Sequence, residues 1–323
     1  MLKRRDFLRL LGWGLAGTWA AGRWSWPLPA LAGLERQVRL ALLADAHLKS
    51  GADCAPEARA LARAVAEIRR LTPPPDLVLF AGDLAHRADP RALALGKEIL
   101  SDLPGPLLLV MGEGDGLPDH GAPWRRLFGE PWFSRVFTVN PYPRYLSRQN
   151  EAGNLTPNFL PKPENQKPKP VIQILGLDTA WCPGPGGPAF YLGEAGRSRL
   201  AEDLARLDSA APLLVLSHAP LARVFRPWHR WTGDAPEILD LLSRFCCVLL
   251  VHGHTHGAVS IFQDFEPKAP TLLGLPATAW PLPSPVLGTP ARLRPGLGAH
   301  GCGWSLAAFH GGSLEVIPQT WQA

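Results

Sequence analysis

The chain has 323 residues, 46% of them hydrophobic and 19% charged, with 12 Trp and 12 Phe. A chain of this length buries roughly three quarters of its unfolded surface in one large domain or two small ones, and its composition excludes disorder, a collagen-like fibre and a multi-span membrane protein. The net charge of +5 belongs mostly to residues 1–32, where Lys3, Arg4, Arg5, Arg9 and Arg23 face Asp6 alone; the remaining 28 basic and 27 acidic residues give no reason to expect nucleic-acid binding.

The chain begins with Lys3-Arg4-Arg5-Asp6-Phe7-Leu8-Arg9, then an apolar Gly- and Ala-rich stretch from Leu10 to Gly22, then Arg23 and Ala30-Leu31-Ala32. A paired arginine, an apolar region short for a bilayer span and a small-x-small site predict an export signal over residues 1–32. The segment resembles a bacterial twin-arginine signal peptide. The resemblance implies the twin-arginine export machinery as a partner, cleavage after Ala32, a periplasmic or extracellular location and no stable membrane span after cleavage. A retained leader would instead tether the domain as an amphipathic anchor.

From residue 36 onward, short apolar runs alternate with helical stretches, the signature of βα units in a layered α/β domain that extends over residues 33–323. The runs Val38 to Ala44, Leu77 to Ala81, Leu107 to Met111, Leu213 to Leu216 and Cys246 to Val251 are nearly all apolar, as strands covered on both faces are. Helices are predicted over Ala55 to Leu71, from the cap Asp89-Pro90 to about Leu103, over Glu194 to Leu207, and from a capping box of Asp234 and Glu237 to Phe245. Leu117 to Pro170 interrupts the pattern with Trp124, Phe128, Trp132, Phe133 and many prolines, and reads as a covering insertion over the substrate or the sheet edge. Gln263 to Ala299 is also irregular. Five cysteines lack the paired spacing of a zinc module; Cys246 and Cys247 are expected in a buried strand.

Each predicted strand runs into polar residues: Asp45-Ala46-His47, Gly82-Asp83, Gly112-Glu113-Gly114-Asp115, Ser217-His218 and Gly253-His254-Thr255-His256. Sites form at the carboxyl ends of strands in open α/β sheets, because the loops converge there above a rigid scaffold. In Asp45-x-His47 and His254-x-His256 the members are two apart, which in extended backbone turns both side chains to one face. Carboxylates and imidazoles without a thiol suit Mn, Fe or Zn, and a shared carboxylate can hold two ions about 3.5–4 Å apart. Such a pair acidifies water and polarises a phosphoryl oxygen, so hydrolysis of a phosphoester is expected.

This ordered series resembles the calcineurin-like metallophosphoesterase superfamily. The resemblance implies a four-layer α-β-β-α sandwich with a dinuclear centre at the carboxyl ends of the strands. It implies Asp45, His47 and His256 on one metal, Asp83 as the bridge, and His218 and His254 on the other, with two divalent or trivalent ions as cofactors. Leu175-Gly176-Leu177-Asp178-Thr179 matches the strand that opens the second half.

One motif departs from the family. Glu113 stands in the place of an Asn ligand, and Gly114 stands where a His often protonates the leaving group. Glu113 can ligate as an anion, but it removes one unit of positive charge from the site. Unit charges 4 Å apart interact by roughly 4 kcal/mol at an effective dielectric near 20. The missing imidazole leaves proton donation, typically worth 10²–10⁴-fold in rate, to another group or favours a good leaving group. Asp83, Asp115 and His86 are taken as catalytic candidates, with His120 and His229 as further donors. Arg87 is a candidate for phosphate contact, and His252 for orienting a ligand from behind.

The expected activity is hydrolysis of a phosphorylated small molecule (a phosphomonoester, phosphodiester or nucleotide-like compound) by attack of a metal-bridging hydroxide. The alternative is a catalytically weakened metal-binding or scaffold protein of the same fold.

Overall fold

The computed structural model describes residues 24–27, 37–49, 52–116, 119–137, 172–184, 187–222, 231–257, 259–262, 270–280, 294–295, 301–310 and 313–321. The first half contains β1 (Trp24–Pro27), β2 (Val38–Leu43), α1 (Pro56–Arg69), β3 (Leu77–Ala81), α2 (Pro90–Ser101), β4 (Leu107–Val110), α3 (Glu113–Gly116), α4 (Ala122–Phe128) and β5 (Phe133–Phe137). The second contains β6 (Ile172–Gly176), β7 (Ala180–Gly184), β8 (Gly187–Tyr191), α5 (Gly193–Ala205), β9 (Leu213–Ser217), α6 (Ala235–Leu242) and β10 (Val248–His252). There follow β11 (Val259–Phe262), β12 (Thr271–Gly274), β13 (Arg294–Pro295), β14 (Cys302–His310) and β15 (Ser313–Trp321).

One sheet runs β1-β15-β14-β2-β3-β4 and the other β13-β11-β12-β10-β9-β6-β5; β7 and β8 form a separate pair. Strands β2, β3 and β4 are parallel to one another, as are β6, β9, β10 and β12. Alternation along the strands divides the core. Leu40, Leu42, Leu77 and Leu79 meet Ile174, Leu214, Leu216, Leu249 and Val251 between the sheets. Their neighbours Ala41, Leu43, Val78 and Phe80 meet Leu61, Val65 and Ile68 of α1 and Leu93 and Leu100 of α2. On the far side Leu175, Leu213, Val215 and Leu250 meet Leu200 and Leu204 of α5 and Ile238 and Leu242 of α6. The result is the expected α-β-β-α sandwich.

Several local expectations change. Asp89 caps α2 as predicted, accepting from the Arg91 N–H at 2.8 Å. Asp234 makes no side-chain cap on its own helix, which stops at Leu242. Instead it accepts from the Leu192 and Gly193 N–H groups, both at 2.9 Å, so the carboxylate caps the start of α5. Cys246 is exposed and precedes β10, because the strand begins only at Val248. Among the described residues of the segment read as a covering insertion, Trp124, Trp132 and Phe133 are buried. There β5 pairs with β6 at the sheet edge, so this part is core rather than cover. Residues 138–171 lie outside the described residues, as do most of Gln263 to Ala299. Strand β1 falls within the segment read as a leader and pairs antiparallel with β15, from Trp24 opposite Val316 to Pro27 opposite Ser313. The other leader residues are outside the described set. No helix among the described residues is long and apolar enough to cross a membrane.

Candidate metal centre

The five strand ends meet where the two sheets face each other. The segment after β2 is laced to the segment after β3 by Asp45 N–H to the Gly82 carbonyl (3.0 Å) and His47 N–H to the Asp83 carbonyl (2.9 Å). The Asp115 carboxylate ties the loop after β4 to the segment after β3, accepting from the Ala85 N–H at 2.7 Å, and braces its own loop through the Gly112 N–H at 3.1 Å. The second sheet joins through the His254 N–H, which donates to both Asp45 carboxylate oxygens at 3.0 and 3.1 Å.

These turns are tight. Asp45, His47, Asp83, His254 and His256 all have φ between 47° and 63°, in the left-handed region that non-glycine residues seldom occupy. The pairs Asp45-x-His47 and His254-x-His256 therefore converge through turns and not, as expected from their spacing, through extended backbone. Such strain persists only where surrounding structure over-determines it, and it clusters at functional sites. Gly112 and Gly114 permit the close approach of the loops: a Cβ at Gly112 would lie 2.1 Å from Asp83 Oδ1, and one at Gly114 2.7 Å from the Ala85 carbonyl.

The side chains form two triads around a shared carboxylate. Asp45, His47 and His256 make one, and Glu113, His218 and His254 the other; within each, the candidate donor atoms lie within 4.8 Å of one another. Asp83 Oδ2 stands between them, 3.4 Å from His47 Nε2 and 3.5 Å from His218 Nε2. Its other oxygen is held by the Gly114 N–H at 2.7 Å. Donor atoms about 2.1 Å from one ion stand roughly 3.0–3.4 Å apart at octahedral or tetrahedral edges. Of the separations here, 3.1 Å for His254 Nδ1 to Glu113 Oε1 falls in that range, while 2.8 Å for His47 Nε2 to His256 Nε2 and 2.7 Å for His218 Nε2 to Glu113 Oε2 are a few tenths of an ångström shorter. Two rings are oriented by main-chain carbonyls, as metal-ligating histidines are. His218 Nδ1 donates to Ala81 and His256 Nδ1 to Trp280, each at 2.7 Å, which turns both Nε2 atoms into the cluster. The residues present therefore fit a pair of metal ions.

The electrostatics of the metal-free site agree. Burial, with Glu113 adding to it, pushes Asp83 well above the usual carboxylate range. Burial also opposes the charge on Glu113, but His254 and His218 outweigh it and hold that carboxyl well below its ordinary value. His218 is likewise raised, its burial overcome by Asp83 and Glu113. Burial lowers His47 to about 4 despite the pull of Asp45. One carboxylate is thus driven toward its proton while a neighbour is paired to imidazolium, a balance that cations would replace.

The remaining candidates lie elsewhere. Asp115 is buried on main-chain amides and pushed up to about 6 by that burial, so it positions loops and does not face the cluster as an open acid. His86 and Arg87 are exposed and belong to none of the three ligand clusters found among the described residues. His120 is exposed as well, and His229 lies outside the described residues. His252 is buried with Nδ1 2.8 Å from the Gly253 carbonyl, bracing the turn that carries His254. Sequence reasoning missed Trp280, whose carbonyl orients His256; its contribution comes from the main chain and leaves no motif.

Residues 38–258 match the model of the calcineurin-like phosphoesterase family. No match was found among curated proteins. Among solved structures, the chain is similar to a dimetal phosphatase from Danio rerio, at 14% identity over 84% of this chain and 93% of that one, with a TM-score of 0.51. It is also similar to purple acid phosphatase PPD1 from yellow lupin (Lupinus luteus) seeds, at 10% identity over 89% of this chain and 53% of that one, with a TM-score of 0.56. A third is GAP50, the anchor in the inner membrane complex of Plasmodium, at 11% identity over 88% and 84%, with a TM-score of 0.54. At these identities the likeness is one of fold. The family match spans every strand end from Asp45 to His256 that builds the two triads, and the chain belongs to the calcineurin-like phosphoesterases.

Proposed function

We propose that the protein hydrolyses phosphoesters at a dinuclear metal centre, and that it does so outside the cytoplasm after twin-arginine export. The observation that carries the hydrolytic reading is the pair of triads sharing Asp83. Asp45, His47 and His256 would hold one ion and Glu113, His218 and His254 the other, with Asp83 shared between them. When bound, two such ions acidify water and withdraw charge from a phosphoryl oxygen. The chain's own part is to fix the ligands: the Ala81 and Trp280 carbonyls aim His218 and His256, and the Gly114 N–H holds the Asp83 oxygen that is not shared.

Glu113 and the missing imidazole at Gly114 shape the substrate preference. Three carboxylates, Asp45, Asp83 and Glu113, leave the loaded centre less positive than two would. With no histidine at 114, esters of phenols or of phosphate, whose leaving anions are stable, suit the site better than alkyl esters. The same two residues favour a second reading, a metal-binding scaffold of the same fold. The name of GAP50 makes that protein an anchor on a similar fold.

Two measurements separate the readings. Metal analysis should give two ions per chain, and protein loaded with manganese, iron or zinc should turn over p-nitrophenyl phosphate or bis-p-nitrophenyl phosphate. Two ions without turnover would favour the scaffold. Glu113→Asn should raise kcat/KM about tenfold, well under the limit set by one unit charge at contact distance; an unchanged rate would remove Glu113 as a brake. For export, Arg4→Lys with Arg5→Lys should retain the protein in the cytoplasm on cell fractionation.

A further inference from the structure

Trp280 is large, 44% exposed, and held at φ 59°. A bulky side chain in that region is an outlier, and neither burial nor backbone comfort accounts for this one. Its main chain is locked to the metal centre from two sides. The Thr278 and Ala279 N–H groups donate to the carbonyls of Ala44 and Asp45 at 2.8 and 3.1 Å, and the Trp280 carbonyl receives His256 Nδ1 at 2.7 Å. The Trp280 main chain is therefore in direct contact with a candidate metal-ligating imidazole, and its indole extends from that point of the chain into solvent.

Lys49 meets it there. Two residues after His47, its main-chain N–H is fixed on the buried Glu57 carboxylate at 3.1 Å, and its ammonium lies 3.6 Å from the centre of the Trp280 ring. A cation over an indole face is attracted by the ring's negative π-cloud, which favours this pairing of the two side chains. An exposed aromatic plane with an ammonium over one face, both carried by segments that join the anion-rich cluster at His256 and His47, is complementary to a ligand that is aromatic at one end and anionic at the other.

We propose that Trp280 and Lys49 form a subsite for the ester group of the substrate, stacking a planar aromatic ring on the indole while the ammonium of Lys49 neutralises a phosphate oxygen. This rests on the phosphoesterase reading and narrows it to aromatic phosphoesters. Lys49 also returns, at the rim, the positive charge that Glu113 removes from the centre.

The test compares AMP with ribose 5-phosphate, which share a phosphate and a primary alkoxide and differ by the adenine ring. Binding to the metal-loaded protein is measured by calorimetry, and kcat/KM in parallel. Base–aromatic stacking of about 1–3 kcal/mol corresponds to AMP binding roughly 5- to 150-fold more tightly. Trp280→Asn, a residue that tolerates positive φ, should bring the ratio within about twofold of unity with both metal ions retained, since His256 is oriented by the main chain. Lys49→Met should weaken both ligands, with a smaller change in their ratio. Equal binding of the two ligands by the parent protein, or a ratio unmoved by Trp280→Asn, overturns the subsite. Discrimination in binding, with no turnover of p-nitrophenyl phosphate or bis-p-nitrophenyl phosphate by the same metal-loaded protein, leaves the subsite standing and sinks the hydrolase; turnover of either nitrophenyl ester without discrimination in binding does the reverse.

Discussion

At Gly114 the side chain is set by space. A Cβ there would stand 2.7 Å from the Ala85 carbonyl and 3.0 Å from Asp83 Oδ1, so the loop has closed onto the position where the sequence motif led to the expectation of an imidazole. Gly114→His should therefore lower stability by about 1–3 kcal/mol, seen as a lower Tm, with no gain in rate on alkyl phosphoesters. A rate increase at unchanged Tm would show that the loop has room. His252 illustrates a different control. Burial lowers it to about 4 against an ordinary 6.5, with the Gly253 carbonyl only partly offsetting the effect. The unfolded chain binds this proton more readily than the folded one, so the stabilisation from neutral His252 is present above pH 6.5 and lost as pH falls toward 4. Two and a half pH units correspond to about 3 kcal/mol. In metal-free protein, denaturant titrations should show the parent losing about that much more stability than His252→Gln between pH 7 and pH 4. Parallel pH profiles would refute this account.

At the scale of elements, Asp234 joins two helices. The carboxylate occupies the N-terminus of α5 through the Leu192 and Gly193 amides and pairs with Arg197 at 2.5 Å, all more than thirty residues away in sequence. Asp234→Ala should cost about 1–2 kcal/mol in denaturant unfolding, the range of a lost N-cap. Phe190, at the end of β8, stacks edge-on to His254 at 4.9 Å, so movement of α5 would be felt at the second triad. The capping pattern in the sequence identified the right acid but the wrong helix. Local spacing carries no information about which amide lies nearest in space.

For the molecule as a whole, β1 matters because it closes the edge of the six-stranded sheet over β15. An open strand edge is a template for pairing with other chains. Protein beginning at Gly33 should melt about 2–4 °C below protein beginning at Arg23 and aggregate sooner on heating; equal Tm values would show that the four paired residues contribute nothing. The apolar runs placed five of the parallel strands, β2, β3, β4, β9 and β10, because a strand buried on both faces is mostly apolar; β12 fell in the stretch from Gln263 to Ala299 that the sequence left as irregular. The candidate ligands were legible because each follows such a run, with Asp45, His47, Asp83, Glu113, His218, His254 and His256 in one order along the chain. What the sequence could not express is how they converge. That depended on left-handed turns at five of them, on the Ala81 and Trp280 carbonyls that aim two rings, and on the meeting of Lys49 with Trp280. Main-chain dipoles and long-range contacts leave no mark on residue type, so only the packing of one sheet against the other decided them.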